Sequence, residues 1–217
     1  TSRGHAAAAH PIVPEAVAFA RRPGTYAVVI DCSTGATSAR LTAPEGRHFY
    51  GHGAFSSDGE LLFTTENDYE DARGIVGVWS RREGYRRAGE FASGGVGPHD
   101  IKLMPDAKTL VVANGGIETH PEAGRTKLNI PTMRPSLSYL GLDGAVVEAC
   151  VLDDRLRKNS IRHLAVSRDG RVAFAMQWQG DSTDYPPVLG THRRGEEAEL
   201  SSSLPSADRA LLGYAGS

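Results

Sequence analysis

This sequence of 217 residues has few of the features that directly indicate a structural or functional class of protein. Its two cysteines, Cys32 and Cys150, are too few and too far apart to form a disulfide framework. No apolar run is long enough to cross a bilayer. The net charge is −2, from 24 basic and 26 acidic residues, which argues against general binding to nucleic acid or to anionic membranes. We therefore expect no nucleic-acid partner and no membrane span.

Short signatures of common enzymes are missing as well. The sequence contains no G-x-S-x-G, H-E-x-x-H or C-x-x-C motif. Two glycine-rich stretches, GGVGP and NGGIE, are not followed by a helical pattern and so do not form a dinucleotide or phosphate fingerprint. No segment has the periodicity of an amphipathic helix. Motifs alone do not indicate an enzyme class.

What the chain does have is an internal repeat that begins with histidine. His5, His52 and His99 are each 47 residues apart, and His163 opens a fourth copy. In every copy the histidine leads a short apolar segment, which a tight turn such as SSDG or SRDG joins to a second apolar segment. A period in the forties with several short strands per unit is typical of propeller blades.

The repeat predicts an all-β fold, a β-propeller built of four-stranded antiparallel blades. Strands of about five residues separated by Gly, Asp and Ser turns are what an antiparallel meander requires. We place the blades at approximately 5–51, 52–98, 99–162 and 163–216, within one domain or fragment that covers 1–217.

The ring is expected to be larger than four blades. Ser217 stands where the next repeat histidine would fall, and closed propellers have roughly four to eight blades. We therefore expect this chain to cover about four blades of a ring of seven. An unpaired blade edge invites a partner, so self-association through open edges is a further expectation.

One face of the predicted disc collects the unusual residues. In a four-stranded blade, the loops between second and third strands and the links into each first strand lie on the same face, named here the loop face. These segments are long and polar, as loops that serve binding or catalysis often are. Six of the eight histidines are predicted to lie on or near the loop face: His5, His48, His52, His99, His120 and His163.

The repeat histidines predict a metal site at the mouth of the central channel. Neutral imidazole is a common ligand for Zn, Cu, Fe and Ni, so a bound ion would be copper, iron or zinc. Two other roles stay open at this point: hydrogen bonding to the backbone of the neighbouring blade, and proton transfer. The candidate metal ligands are His5, His52, His99, His120 and His163.

Other polar residues of the loop face are candidates for ligand binding. Glu66 and Asn67 belong to the acidic stretch ENDYED, which could offer oxygens to Ca²⁺ or simply be a solvated loop. Asn114 and Glu118 lie in NGGIETHPE, where paired glycines suggest a close backbone approach. Two arginines could bind a carboxylate or phosphate bidentately, or neutralise nearby acids: Arg134 and Arg162.

Long phrases of the sequence resemble the bacterial domain-of-unknown-function 1513 family. They include RHFYGHGAFSSDGELLFTTENDYEDARGIVGVW, GPHDIKLMPDAKTLVVANGGIETHPEAGRTKLNIPTMRPSL and SIRHLAVSRDG, and the resemblance runs over essentially the whole chain. It implies an exported, propeller-like protein of the periplasm, with imelysin-like, iron-associated proteins and a di-haem oxidoreductase-like protein as neighbours and candidate partners. The family's motif residues correspond here to His5, His52, Glu66, Asn67, His99, Asn114, Glu118, His120, Arg134, Arg162 and His163.

Three functions are compatible with these patterns. The favoured one is a binding protein whose histidine-lined face holds a transition metal, or a metal-handling partner, in iron or copper homeostasis. The second is a propeller enzyme. It would be either a lactonase-like hydrolase using Glu66, Asn67 and Asn114 around Ca²⁺, or a copper redox enzyme using the histidines. The third is a scaffold for protein interaction. Propellers carry many unrelated functions, so the fold does not choose among them.

Overall fold

The four predicted blades are present in a computed structural model, which describes residues 4–20, 24–181, 183–184 and 186–201. Each blade is a four-stranded antiparallel sheet whose strands lie in chain order, and the blades are arranged as a β-propeller. This confirms the predicted fold class. The prediction of a seven-bladed ring was based on the position of Ser217, which lies outside the described residues. The seven-bladed ring therefore stays a prediction.

The strands run from the innermost to the outermost in each blade. Blade 1 consists of β1 (Gly4–Ala9), β2 (Glu15–Ala20), β3 (Tyr26–Asp31) and β4 (Thr37–Thr42). Blade 2 consists of β5 (Arg47–Phe55), β6 (Leu61–Asp68), β7 (Arg73–Ser80) and β8 (Arg86–Ala92). Blade 3 consists of β9 (Pro98–Leu103), β10 (Thr109–Asn114), β11 (Ser136–Gly141) and β12 (Val146–Val151). Blade 4 consists of β13 (Asn159–Val166), β14 (Val172–Trp178), β15 (Leu189–His192) and β16 (Glu199–Leu200).

The helical content of the described residues is limited to three short 3₁₀ helices on the loop face. They lie at Pro121–Ala123, Ile130–Thr132 and Asp154–Leu156. Among the residues that the structure describes, no helix has the length and apolar character needed to span a membrane.

The core consists of three apolar layers, each between two consecutive blades. Successive residues of a strand point to opposite faces of the sheet, so an inner strand must be apolar on both faces. Leu62 of β6 packs toward blade 1, whereas its neighbour Phe63 packs toward blade 3. Fully burying a large apolar side chain contributes about 1.5–3 kcal/mol. Fully buried large side chains at the three interfaces include Phe19 and Phe49, Phe63 and Ile101, and Tyr139 and Phe174.

Among the described residues, each of the two terminal blades has one sheet face on which no other blade packs. On blade 1, Ala7 and Ala9 are exposed, and on blade 4, Ala165 and Ala173 are exposed. The described residues form three inter-blade cores and no fourth between blades 4 and 1. The open face of blade 4 contains a concave cavity of about 590 Å³ lined mainly by apolar side chains.

Candidate metal centre

The repeat histidines converge because every innermost strand is irregular at the histidine. On β5 the register with β6 shifts between Phe49 and Gly53, and on β13 the register with β14 shifts between Ile161 and His163. A β-bulge disrupts the ladder locally and re-aims a side chain. The same irregularity occurs on β1 between Gly4 and Ala7, and on β9 opposite Ala113 and Asn114.

Four imidazoles meet at the centre of the loop face and are named here the histidine cluster: His5, His52, His99 and His163. The ring centroids of His52 and His99 are 5.2 Å apart, and those of His99 and His163 are 4.9 Å apart. His5 lies 5.1 Å from His52 and 5.8 Å from His99. Since each ring comes from a different blade, the cluster joins all four blades at the channel mouth.

Donor atoms within the histidine cluster form two overlapping groups of three. In the first, one nitrogen each of His5, His52 and His99 lie within 4.8 Å of one another. In the second, His52 and His163 are joined by a carboxylate oxygen of Asp100 within the same distance. Two nitrogens bound tetrahedrally to one ion at 2.0–2.1 Å lie about 3.3 Å apart. Small rotations of the rings would therefore bring three donors to one ion.

Asp100 is a candidate site residue that was not predicted from the sequence. It is almost fully buried, and its Oδ1 lies 3.2 Å from Nδ1 of His52. The same oxygen accepts hydrogen bonds from Nζ of Lys102 and the backbone of Ile101, while Oδ2 accepts from the backbone of Leu164. The sequence gives one indication of this role: Asp100 directly follows a repeat histidine. The residue after the repeat histidine is Ala, Gly or Leu in the other three copies.

Two histidines have a defined tautomer that leaves one nitrogen available to a metal. A carboxylate and a carbonyl oxygen only accept hydrogen bonds. Nδ1 of His52 therefore carries its proton toward Asp100, and Nδ1 of His99 donates to the carbonyl of Arg162 at 3.1 Å. In the neutral form of either ring, Nε2 then has a free lone pair. Within the described part of the chain, Nε2 of His52 is buried and has no hydrogen-bond partner.

The electrostatic environment favours the neutral forms of His99 and His163 and the ionised form of Asp100. Burial, reinforced by the charge of Arg162, lowers the pKa of His99 well below its ordinary value. Burial also lowers the pKa of His163. Burial by itself raises the pKa of Asp100, but the hydrogen bond from His52 and the charge of Lys102 hold it well below its usual range. Neutral imidazoles beside an ionised carboxylate are the forms that bind metal ions.

Gly51 provides the space in which His5 approaches the strand of blade 2. Its φ of +106° lies in a region that other residues rarely adopt. A Cβ at this position would lie 2.4 Å from Cδ2 of His5, which is closer than real side chains approach. The glycine before His52 therefore lets the exposed His5 reach the cluster.

The other predicted metal ligand, His120, lies elsewhere on the loop face. Its ring stands edge-on to Tyr69 with centroids 5.1 Å apart, and its Nε2 is 3.6 Å from Glu70. Its Nδ1 accepts a hydrogen bond from the backbone of Glu122 and so caps a 3₁₀ helix. His120 does not belong to either group of converging donors.

The predicted residues Glu66 and Asn67 are buried in blade 2. Both carboxylate oxygens of Glu66 accept hydrogen bonds of 2.9 Å from Arg87, and Thr64 donates a third at 2.8 Å. The side-chain nitrogen of Asn67 lies 3.3 Å from Nε2 of His48 and donates to the carbonyl of Thr119. Glu66 is thus engaged in a charge network, and the structure does not bring it together with the histidine cluster.

Asn114 likewise forms hydrogen bonds inside the fold. Its Oδ1 accepts from Ser93 at 2.7 Å, and its amide nitrogen donates to Ser138 at 2.9 Å. This side chain therefore connects the segment that enters blade 3 with β11. The calcium-dependent alternative relied on Glu66, Asn67 and Asn114, and each of these side chains forms hydrogen bonds within the protein.

The remaining predicted residues lie on the loops around the cluster. The backbone of Glu118 is fixed by Asn129, which accepts its N–H at 2.7 Å. Arg134 is exposed, and its backbone packs against Gly116. Nη2 of Arg162 donates to the side chain of Gln177 at 3.0 Å. Of these three, Arg162 is the one whose main chain directly contacts the histidine cluster.

The donor set restricts the chemistry that the cluster supports. Imidazole nitrogens with a nearby carboxylate suit Zn, Cu, Fe and Ni, whereas Ca²⁺ and Mg²⁺ require mainly oxygen ligands. The pair Asp100 and His52 repeats the carboxylate–histidine arrangement that orients metal-bound imidazoles in proteins. The residues present therefore fit a late first-row transition ion.

Comparisons with known proteins place the fold in a wider context. The WD40 domain of Toxoplasma gondii coronin aligns with a TM-score of 0.61 and 12% identity over 92% of this chain and 46% of that one. Hydrazine synthase of Kuenenia stuttgartiensis aligns with a TM-score of 0.48 and 17% identity over 85% of this chain and 60% of that one. The chain thus spans less than two thirds of either structure.

At such identities the coronin domain supports the propeller fold alone. A search among curated proteins gave no match. A family model described as "Protein of unknown function (DUF1513)" matches residues 1–217, and the chain therefore belongs to the DUF1513 family.

Proposed function

We propose that this protein binds a transition-metal ion, copper, iron or zinc, through the histidine cluster. The observation that carries the proposal is the state of His52. Its Nδ1 is oriented by Asp100, and its buried Nε2 has no hydrogen-bond partner among the described residues. A buried polar atom without a partner costs about 1–3 kcal/mol, and a bound ion would remove that cost.

The position of the cluster fits a binding role. His5 is exposed whereas His99 is buried. An ion would therefore enter from the loop face and be bound on its inner side by His99. Because the four rings come from four blades, an ion would also link the inner strands. We propose that the protein stores, carries or presents such an ion. The ion would be bound by itself, or it would belong to a metal-handling partner that binds at the histidine cluster.

Metal titration of the chelator-treated protein, produced without a histidine tag, tests this proposal. We expect one equivalent of Zn²⁺ or Cu²⁺ to remain after desalting, with at least a tenfold loss of affinity in the variant His52→Ala/His99→Ala. The matched control is His120→Ala, which removes a loop-face imidazole outside the cluster. Full metal retention in the double variant, or no metal in the folded wild type, would refute the proposal. Loss in the control would place His120 in the metal shell.

The resemblance to the family extends the proposal to cellular context. We propose a periplasmic location and a role in iron or copper handling beside imelysin-like or di-haem proteins. Fractionation of cells that express the full-length protein tests the location. Pull-down of the purified partner, with metal-free and metal-loaded protein compared, tests the interaction. A cytoplasmic location of the full-length protein would contradict this part.

A second proposal concerns the open face of blade 4. The cavity on this face is lined by residues such as Phe174, Leu189 and Leu200, and the equivalent faces of blades 1 to 3 are covered by the next blade. We propose that a further blade covers it in the intact protein. A longer chain should then be monomeric, whereas a concentration-dependent dimer of this chain would indicate that a second copy, and not a further blade, covers this face.

A further inference from the structure

The two groups of converging donors in the histidine cluster differ in chemistry. The first, named here the imidazole set, consists of His5, His52 and His99 and offers three ring nitrogens. The second, named here the carboxylate set, consists of His52, His163 and Asp100 and offers two ring nitrogens and one carboxylate oxygen. His52 is the member that the two sets share.

These two donor sets suit different metal ions. Three imidazoles that leave one coordination position open are a known ligand set for Zn²⁺. Two imidazoles and one carboxylate, with open positions beside them, are the ligand set of non-haem Fe²⁺ sites. Sites of a given composition bind Fe²⁺ more weakly than Cu²⁺ or Zn²⁺, so a preference for iron depends on ligand type and geometry. The carboxylate set supplies the ligand types that such a preference needs.

Asp100 is held in a position from which it can bind an ion directly. Its Oδ2 accepts the backbone N–H of Leu164 at 2.9 Å, and its Oδ1 accepts that of Ile101 at 2.8 Å. Oδ1 also lies 3.2 Å from Nδ1 of His52. An ionised carboxylate has about four lone-pair sites, so these contacts leave capacity for an ion beside His52. Lys102 donates to the same oxygen, but its side chain is 39% exposed and can turn toward solvent.

The tautomer of His52 makes the two sets mutually exclusive. In the imidazole set, Nε2 of His52 is the nitrogen available to an ion, while Nδ1 keeps its proton toward Asp100. In the carboxylate set, the nitrogen that faces Asp100 is Nδ1, so an ion bound there requires the ring proton on Nε2. A neutral imidazole has one nitrogen lone pair to offer. The cluster therefore holds one ion at a time.

We propose that the histidine cluster binds Zn²⁺ or Cu²⁺ through the imidazole set and Fe²⁺ through the carboxylate set. This inference rests on the proposed metal binding and adds which residues select which ion. His5 is then specific to zinc and copper, and His163 is specific to iron. Asp100 orients His52 toward the first kind of ion and is itself a ligand of the second.

Parallel titrations with Zn²⁺ and, in the absence of oxygen, with Fe²⁺ test this assignment on chelator-treated protein without a histidine tag. The variants His5→Ala and His163→Ala control for each other, since each removes a ligand from one set alone. In His5→Ala we expect zinc affinity to fall by at least about tenfold and iron affinity to stay unchanged. His163→Ala should give the reverse. Loss of a ligand should cost no less than loss of an outer-shell partner, which lowers affinity by about 10- to 100-fold.

Competition between the ions provides a second readout. Saturation of the wild type with Zn²⁺ should prevent binding of Fe²⁺, because both ions need His52. The inference is overturned if the wild type does not bind Fe²⁺, if it binds one equivalent of each ion together, or if each variant weakens both ions equally. His5→Gln and His163→Gln replace an alanine variant that does not fold. Failure of the wild type to bind either ion would refute the proposed function as well, whereas zinc binding without the crossed pattern would refute the assignment alone.

Discussion

Replacing Asp100 by Asn tests whether a carboxylate orients the histidine cluster. Asp100 accepts hydrogen bonds from three neighbours and lies 3.2 Å from Nδ1 of His52. An asparagine oxygen can face either Leu164 or His52. If the oxygen faces Leu164, the amide NH₂ meets Nδ1 of His52 and forces that ring's proton to Nε2, where it blocks metal binding. If it faces His52, the backbone N–H of Leu164 loses its acceptor.

The size of the effect follows from these alternatives. Loss of an outer-shell partner typically lowers metal affinity by about 10- to 100-fold. A buried N–H without an acceptor costs about 1–3 kcal/mol. A chain of this size loses about 2–4 °C in melting temperature per kcal/mol. We therefore expect Asp100→Asn to bind Zn²⁺ at least tenfold more weakly and, without metal, to melt several degrees lower than the wild type.

The assay is a competition titration with a chromophoric zinc chelator, combined with thermal unfolding of the metal-free protein. Asp58→Asn is the control, since Asp58 accepts hydrogen bonds from Ser56 and Glu60 in an exposed turn of blade 2. It should leave zinc affinity unchanged. Wild-type zinc affinity in Asp100→Asn would refute the reasoning, because the tautomer of His52 would then not depend on the carboxylate.

Three further predictions concern the support of the site. Gly51→Ala should destabilise the protein by about 1–3 kcal/mol, because a side chain is strained at its φ of +106° and collides with His5; unchanged urea unfolding would contradict this. Arg87→Met should cost about 3–5 kcal/mol in urea unfolding, since it leaves the buried carboxylate of Glu66 without its main counterion. Adding Glu66→Gln should recover part of that loss, and equal stability of the single and double variants would count against the charge argument. In metal-free protein the depressed pKa of His99 keeps its ring neutral when folded, whereas the unfolded chain takes up a proton near pH 6.5. Stability should therefore fall as the pH drops below about 6.5, and less so in His99→Gln; identical urea midpoints at pH 7.5 and 5.5 would contradict this.

Much of the fold could be predicted because its information is local. The spacing of His5, His52 and His99 and the turns after them predict the blades, since each blade is a meander of neighbouring segments. The nearly continuous apolar run in β10 reflects burial on both faces, and β6 is likewise buried although only its first three residues are apolar.

The sequence alone also predicted the residues of the histidine cluster, because a repeated residue at the start of each innermost strand must approach the channel axis. Sequence reasoning did not distinguish His120 from the others. Its place at the cap of a 3₁₀ helix depends on how a long loop folds back over Tyr69 and Glu70. No local periodicity encodes that path.

The tertiary structure decided which polar groups share a partner. Asp100 reaches His52 of one blade and the backbone of Leu164 of another, and Glu66 turns to Arg87 rather than to the channel. These contacts depend on β-bulges and on the distance between neighbouring blades. That distance is set by side-chain packing between the sheets and not by spacing along the sequence. The sequence by itself determined the strands, their order and the imidazoles at the mouth; packing of blade against blade determined their tautomers, their charges and the carboxylate that orients them.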